Sequence, residues 1–221
     1  MRNVRELKLA FFSGRLNSNR PKIKHRSKDS SGCGCDILNF VETLSFPLSP
    51  QPQPIPSDLL ERILDSLLLI VGISYYKLYC PRQLIVEGFT LTKKQADFWN
   101  AVYTKGLGEF FYKNKIDFRG HIAFPFSEEV SLPAIRFPRR NRSLVGIGGG
   151  KDSIVTAELL KKHLKPFTNF MLSEHPLQKE ISRQIGGESL DVGRQLDPQL
   201  LPLNKHSDAF NGHIPISAIY A

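Results

Sequence analysis

The sequence predicts an α/β fold built on a parallel sheet, and three observations in its last third carry that expectation. Leu144, Val145, Gly146 and Ile147 make a short apolar strand pattern. Gly148, Gly149 and Gly150 follow, then Lys151, Asp152 and Ser153. Ile154, Val155, Ala157, Leu159 and Leu160 then recur at helical spacing. A second strand pattern over residues 167–173 and a helix pattern over 176–185, ended by Gly186 and Gly187, complete a strand–helix–strand–helix order.

The composition suits such a fold. Apolar residues are 41% of the 221 and charged residues 23%, so a core can be buried. The longest apolar run, residues 67–73, is seven long, far short of a membrane helix. Cys33, Cys35 and Cys80 are too few for a disulfide framework, and no secretory apolar segment opens the chain, so a reducing cytoplasm is the expected location. The net charge is +9, yet residues 1–35 hold nine Lys or Arg against two acids, a balance of +7. The rest carries only +2, so the basicity belongs to one segment and nucleic acid is not an expected partner.

In chain order, residues 1–45 are rich in Arg, Lys, Ser and Asn and poor in periodic apolar positions, which predicts a disordered basic tail. The same composition also suits a transit-peptide-like leader or an arm touching phosphate or membrane. Cys33 and Cys35 lack the second pair that a structural zinc site needs. Residues 46–56 contain Pro47, Pro50, Pro52, Pro54 and Pro56 and read as an extended linker. Residues 57–143 read as a small mixed α/β region. It opens with a helix capped by Ser57 that carries Leu59, Leu60, Ile63, Leu64, Leu67 and Leu68 on its apolar face. A second helix over 90–102 has Thr92 as cap and Ala96, Phe98 and Trp99 buried. Ile116, Asp117 and Phe118 begin a strand pattern, in whose neighbourhood Arg119 and His121 read as structural. Residues 144–221 hold the strand–glycine–helix order and read as the opening part of a further domain.

The glycine loop carries the chemistry. Glycines let the backbone approach an anion closely, and the N–H groups of the loop and first helical turn point at it with the helix dipole behind them. The Walker pattern fails because Asp152 follows Gly150 and Lys151 where Ser or Thr is required. The dinucleotide fingerprint fails because Lys151 stands where its third glycine belongs. A glycine turn capped by Asp152 is the plain structural alternative. What remains is Gly-Gly-x-Asp-Ser between a strand and a helix, and it resembles the loop of the PP-loop ATP pyrophosphatases, usually Ser-Gly-Gly-x-Asp-Ser. Gly148 departs from that pattern where the family has Ser.

The resemblance implies that Gly148, Gly149, Gly150, Lys151 and Ser153 hold the pyrophosphate of ATP, that Asp152 acts with magnesium, and that Ser173 lies near the adenosine. Two later stretches, residues 194–198 and 211–218, are polar and read as loops. Together with residues 112–119 and the glycine loop they look similar to the UDP-N-acetylmuramoyl-L-alanyl-L-glutamate epimerases. In that family ATP activates the carboxylate of the terminal L-glutamate as an adenylate. The α-proton is then removed and returned on the other face, which needs an acid, a base and stabilisation of the enolate.

Carried to this chain, the resemblance makes His213 and Asp197 the candidates for proton transfer, with Arg194, Asn211 and Gly212 as substrate contacts. Each has a plainer reading: a loop histidine, a turn before Pro198, a surface arginine and an Asx-turn. The implied partner is a UDP-linked muramyl dipeptide, with ATP and Mg2+ as cofactors. A sheet of that superfamily needs more strands than the residues after Ser153 supply, so the chain is expected to be an N-terminal part. Other PP-loop adenylating enzymes, including those that modify tRNA or make amides or nitriles, are the nearest rivals. A nucleotide-binding module without turnover, or a nucleic-acid binder acting through residues 1–35, would be rivals of another class.

Overall fold

The computed structural model describes residues 4–14, 37–47, 54–81, 84–172, 175–207 and 209–212, with the side chains of 4–14 and 37 left aside. One sheet organises them: β1 (Val4–Gly14), β2 (Ile37–Pro47), β3 (Ser143–Gly146), β4 (Phe167–Leu172) and β5 (Glu188–Gln195) lie in the order β1-β2-β5-β4-β3. β3, β4 and β5 are parallel, with Gly146 opposite Phe170 and Leu172 opposite Val192. β2 pairs antiparallel with β5 and with β1. The parallel part is the expected one, joined by α4 (Lys151–Lys162) and α5 (Pro176–Ile185).

The antiparallel part corrects three expectations. Residues 1–45 contain two strands where the composition predicts a disordered tail. β2 alternates strictly, with Phe40, Glu42 and Leu44 buried on one face, but a glutamate at an inward position hides that pattern. Its last residues, Phe46 and Pro47, belong to the strand rather than to a linker. β5 likewise replaces the loop expected at Arg194 and Gln195. Cys33 and Cys35 lie outside the described residues.

α1 (Ser57–Tyr79) lies on one face of the sheet, where Val71 packs with Leu44 of β2, Leu172 of β4 and Val192 of β5. Pro56 takes its N-cap position, so Ser57 is already helical and caps nothing. The opposite flank of α1 meets α2 (Lys93–Lys105) and α3 (Gly108–Lys113) in an aromatic cluster of Tyr76, Trp99, Tyr103, Phe110, Phe111 and Phe124. Thr92 caps α2 as expected, in a reciprocal box with Gln95. Ala96 and Trp99 are buried, whereas Phe98 is 59% exposed, set edge-on to Trp99. Residues 116–118 have no ladder partner and form no strand, and the Ile116 N–H turns back to Phe111 O at 2.9 Å. α4 and α5 cover the other face, around Val145, Ile147, Ala157, Met171 and Ile185.

α1 ends at Cys80, a left-handed cap with φ 46. Its sulfur donates to Tyr76 Oη at 3.4 Å, and His121 Nε2 lies 2.7 Å from the Cys80 carbonyl. Burial pushes the thiol up to about 11, against a smaller downward effect of the bond to Tyr76. The native state therefore keeps the proton between pH 9 and 11 while the unfolded chain loses it, so stability falls as pH rises through that window. Peptide-resolved alkylation at pH 9 should label Cys80 at least roughly tenfold more slowly in the native protein than in urea. Equal rates would contradict the buried, protonated thiol.

Candidate active site

β3 delivers the chain to the glycine loop at the carboxyl end of a parallel strand, where ligands of open α/β sheets sit. Ile147 anchors the exit: its N–H donates to Phe170 O at 2.8 Å and its side chain is fully buried. Gly149 then has φ 90, a conformation that side-chain-bearing residues rarely take, and a Cβ there would stand 3.4 Å from Leu177 Cδ2. A Cβ at Gly148 or Gly150 would meet nothing within 4 Å, so those two glycines face open space.

Gly150 is the N-cap of α4, and no side chain caps that end. The donors of the first turn are thus left to a ligand or to water. Ser153 Oγ donates to Gly150 O and Thr156 Oγ1 to Asp152 O, both at 2.8 Å, which braces the turn from inside. Lys151 and Asp152 are exposed beside it. The start of α5 forms a flank, with Leu177 against Gly149 and Leu177 N–H donating to His175 Nδ1 at 3.2 Å. Six of the expected residues, Gly148, Gly149, Gly150, Lys151, Asp152 and Ser153, therefore share one open turn. Ser173 and His213 lie outside the described residues.

The remaining candidates lie in two other places. Arg194 is in a buried bidentate pair with Glu42: Nε donates to Oε1 at 2.6 Å and Nη2 to Oε2 at 3.2 Å, with 7% and 0% of the side chains exposed. Ser74 Oγ takes a further bond from Nη2 at 3.1 Å, and Tyr75 Oη donates to Glu42 at 3.0 Å. Asp197 is buried next to this group. Its carboxylate accepts from the N–H of Val41 at 2.8 Å and of Gln199 at 2.9 Å, and its own N–H donates to Tyr75 Oη. Tyr75 is pushed well up by burial, with Glu42 adding to the effect.

Asn211 and Gly212 pack on α3 and α1. Asn211 O accepts from Asn114 Nδ2 at 2.9 Å, Gly212 O accepts from Lys77 Nζ at 3.3 Å, and a Cβ on Gly212 would come within 3.1 Å of Phe110 Cδ2. Burial lowers the Lys77 ammonium below its ordinary value.

Two participants escape sequence reasoning. Glu42 is separated from Arg194 by 152 positions, and no local pattern joins them. Asn169 on β4 is fully buried and its Nδ2 donates to Gly186 O at 3.0 Å, fixing the end of α5. A separate cleft of about 370 Å³ is lined by Asp58, Glu61, Asp65, Arg62, Trp99 and others, and shares no residue with the glycine loop. Burial and then Glu61 raise Asp65, and the acidic rim makes this cleft a poor seat for an anionic nucleotide.

Residues 28–221 match the family model described as the MurL N-terminal domain. A protein of Xanthomonas oryzae pv. oryzae named UDP-N-acetyl-alpha-D-muramoyl-L-alanyl-L-glutamate epimerase is 33% identical over 181 residues, covering 81% of this chain and 40% of the relative. Proteins of the same name from a Micromonospora and from Salinispora tropica are 34% and 36% identical, covering 81% of this chain and 40% and 39% of their own lengths. The chain thus spans about two fifths of these relatives. No solved structure matches it.

Because Arg194 and Glu42 are buried against each other, removing either leaves an uncompensated charge. Arg194→Ala should lower unfolding stability in urea by about 3–5 kcal/mol. The double replacement Glu42→Leu with Arg194→Met should recover much of that loss. Unchanged stability in Arg194→Ala would show that the guanidinium is available to a ligand instead.

Proposed function

The chain belongs to the MurL N-terminal domain family, and from that premise we propose that it is the ATP-gripping part of an epimerase that converts the terminal L-glutamate of UDP-N-acetylmuramoyl-L-alanyl-L-glutamate to D-glutamate. The observation that carries the reading is the uncapped amino end of α4 behind three glycines, one of them at φ 90, at the carboxyl end of a parallel strand. The residues present fit a triphosphate with magnesium. Backbone N–H groups and the helix dipole suit pyrophosphate, and no Cβ intrudes at Gly148, Gly149 or Gly150. Asp152 offers a hard oxygen ligand for Mg2+, and Lys151 a compact positive charge for phosphate oxygens.

When bound, ATP supplies the activation: its AMP portion passes to the substrate carboxylate and pyrophosphate leaves. This chain's part is to hold the leaving group in line and to neutralise its charge, through the loop amides, Lys151 and Asp152. With its carboxylate charge masked, the glutamyl Cα–H becomes acidic enough for a side-chain base, and His213 is our candidate to carry that proton. Ser173 is proposed to meet the adenosine. Arg194 and Asp197 act through the framework, holding β5 and β2 so that β4 and β3 present the loop. A nucleotide-linked substrate and ATP make a cytoplasmic setting the natural one. Among the described residues no helix is long and apolar enough to cross a membrane.

Magnesium-ATP titrated calorimetrically into the chain should bind, and Lys151→Ala and Asp152→Ala should each weaken binding roughly tenfold, the order of one charge-assisted contact. Gly149→Val should abolish it through strain at φ 90. Binding that survives Gly149→Val and Lys151→Ala combined would remove the loop from the reading. Pyrophosphate release by this chain fused to the rest of the Xanthomonas relative should require the L-glutamyl substrate. Release without it would point to another acceptor.

A further inference from the structure

The end of the sheet opposite the glycine loop gathers cations from two segments that are remote in sequence. β3 begins there at Ser143, whose N–H donates to Pro166 O at 3.0 Å, and Arg142 Nη2 donates to Phe167 O at 2.7 Å. Arg139 and Arg140 immediately precede this entry to β3, Lys162 ends α4 and Lys165 follows it, and all four are exposed. The acids beside them are engaged, Glu158 with Lys161 at 2.6 Å and Glu188 with Arg142 at 2.9 Å.

In the midst of this group Leu164 is 92% exposed, the most exposed large apolar side chain among the described residues. Its backbone is left-handed, φ 51, fixed by its own N–H to Lys161 O and by Lys165 N–H to Leu160 O, both at 2.9 Å. That position follows the C-cap of α4, where glycine or asparagine is favoured. These two bonds satisfy the last carbonyls of α4 and support the left-handed backbone, whereas nothing within the described fold covers the leucine side chain.

We propose that this end of the molecule rests on an anionic lipid surface, with the cations meeting lipid phosphates and Leu164 entering the acyl boundary. A bilayer interface satisfies both features at once. A nucleic acid would satisfy the cations and leave an aliphatic side chain without a counterpart. One apolar side chain with a few cations gives reversible association, compatible with a protein that has no spanning helix among its described residues. The inference is independent of the nucleotide reading of the loop, which lies at the other end of β3.

The test is cosedimentation of the whole chain with vesicles of phosphatidylcholine, alone or mixed with phosphatidylglycerol. Binding is expected only to the anionic vesicles. The basic residues 1–35 are kept in every variant, so their contribution is constant. Arg139→Gln, Arg140→Gln and Lys165→Gln combined should lower partitioning by well over tenfold, at about fivefold per cation. Leu164→Asn, which suits the left-handed backbone and should keep the thermal melt, should lower it by roughly fivefold with no change of charge. Unaltered partitioning in either variant overturns the proposal. So does tighter, Leu164-independent binding to a duplex oligonucleotide, which would make the patch a nucleic-acid surface.

Discussion

A carboxylate with no exposed surface holds this fold together. Glu42 meets Arg194 through two hydrogen bonds and Tyr75 through a third, so β2, β5 and α1 converge on one charge. Leu44 stands opposite Arg194 in the antiparallel ladder, and Glu42 precedes it by two residues on the same face, within diagonal reach. A slip of one residue would turn Glu42 out of the core and leave the guanidinium buried alone, so the pair selects the register as well as stabilising it. Asp197 extends the same logic to the turn after β5, by accepting the Val41 N–H.

The loop depends on that arrangement through the sheet. β5 is fixed to β2, β4 pairs with β5, and β3 pairs with β4, so the strand that delivers the glycines inherits its position from the buried pair. On one face α1 covers β2, β5 and β4, and on the other α4 and α5 cover β3 and β4. Asn169 ties the end of α5 to β4, while Leu177 at its beginning supports Gly149. The glycine turn is therefore an open, flexible-looking sequence on a rigid base, the condition for holding an anion in one place.

Legibility in the sequence followed the range of the interactions. The glycine loop, α4, β4 and α5 could be read because their signals are local: an apolar run, a glycine cluster, helical spacing, a terminal glycine pair. Thr92 announced the start of α2 in the same way. β2 and β5 could not be read, because Glu42 and Arg194 occupy inward positions and break the apolar alternation that marks a strand. Each looks like a surface or ligand-binding charge until its partner, 152 residues distant, is beside it. Composition failed for a related reason, since a basic stretch dominated the count over residues 1–45 and obscured the two strands within it. Of the candidate site, the six residues of one turn were recoverable as a unit, whereas Arg194, Asp197, Asn211 and Gly212 belong to packing that only the tertiary structure reveals.

The most direct test of the central claim, that the turn after β3 grips the phosphates of a nucleotide, is the set of backbone amide chemical shifts recorded as magnesium-ATP is added. The amides of Gly149, Gly150, Lys151, Asp152 and Ser153 should move most and saturate together, while those of Arg194 and Asp197 stay in place. Largest shifts around Asp58, Glu61 and Trp99, or no saturable shift at the glycines, would contradict the account.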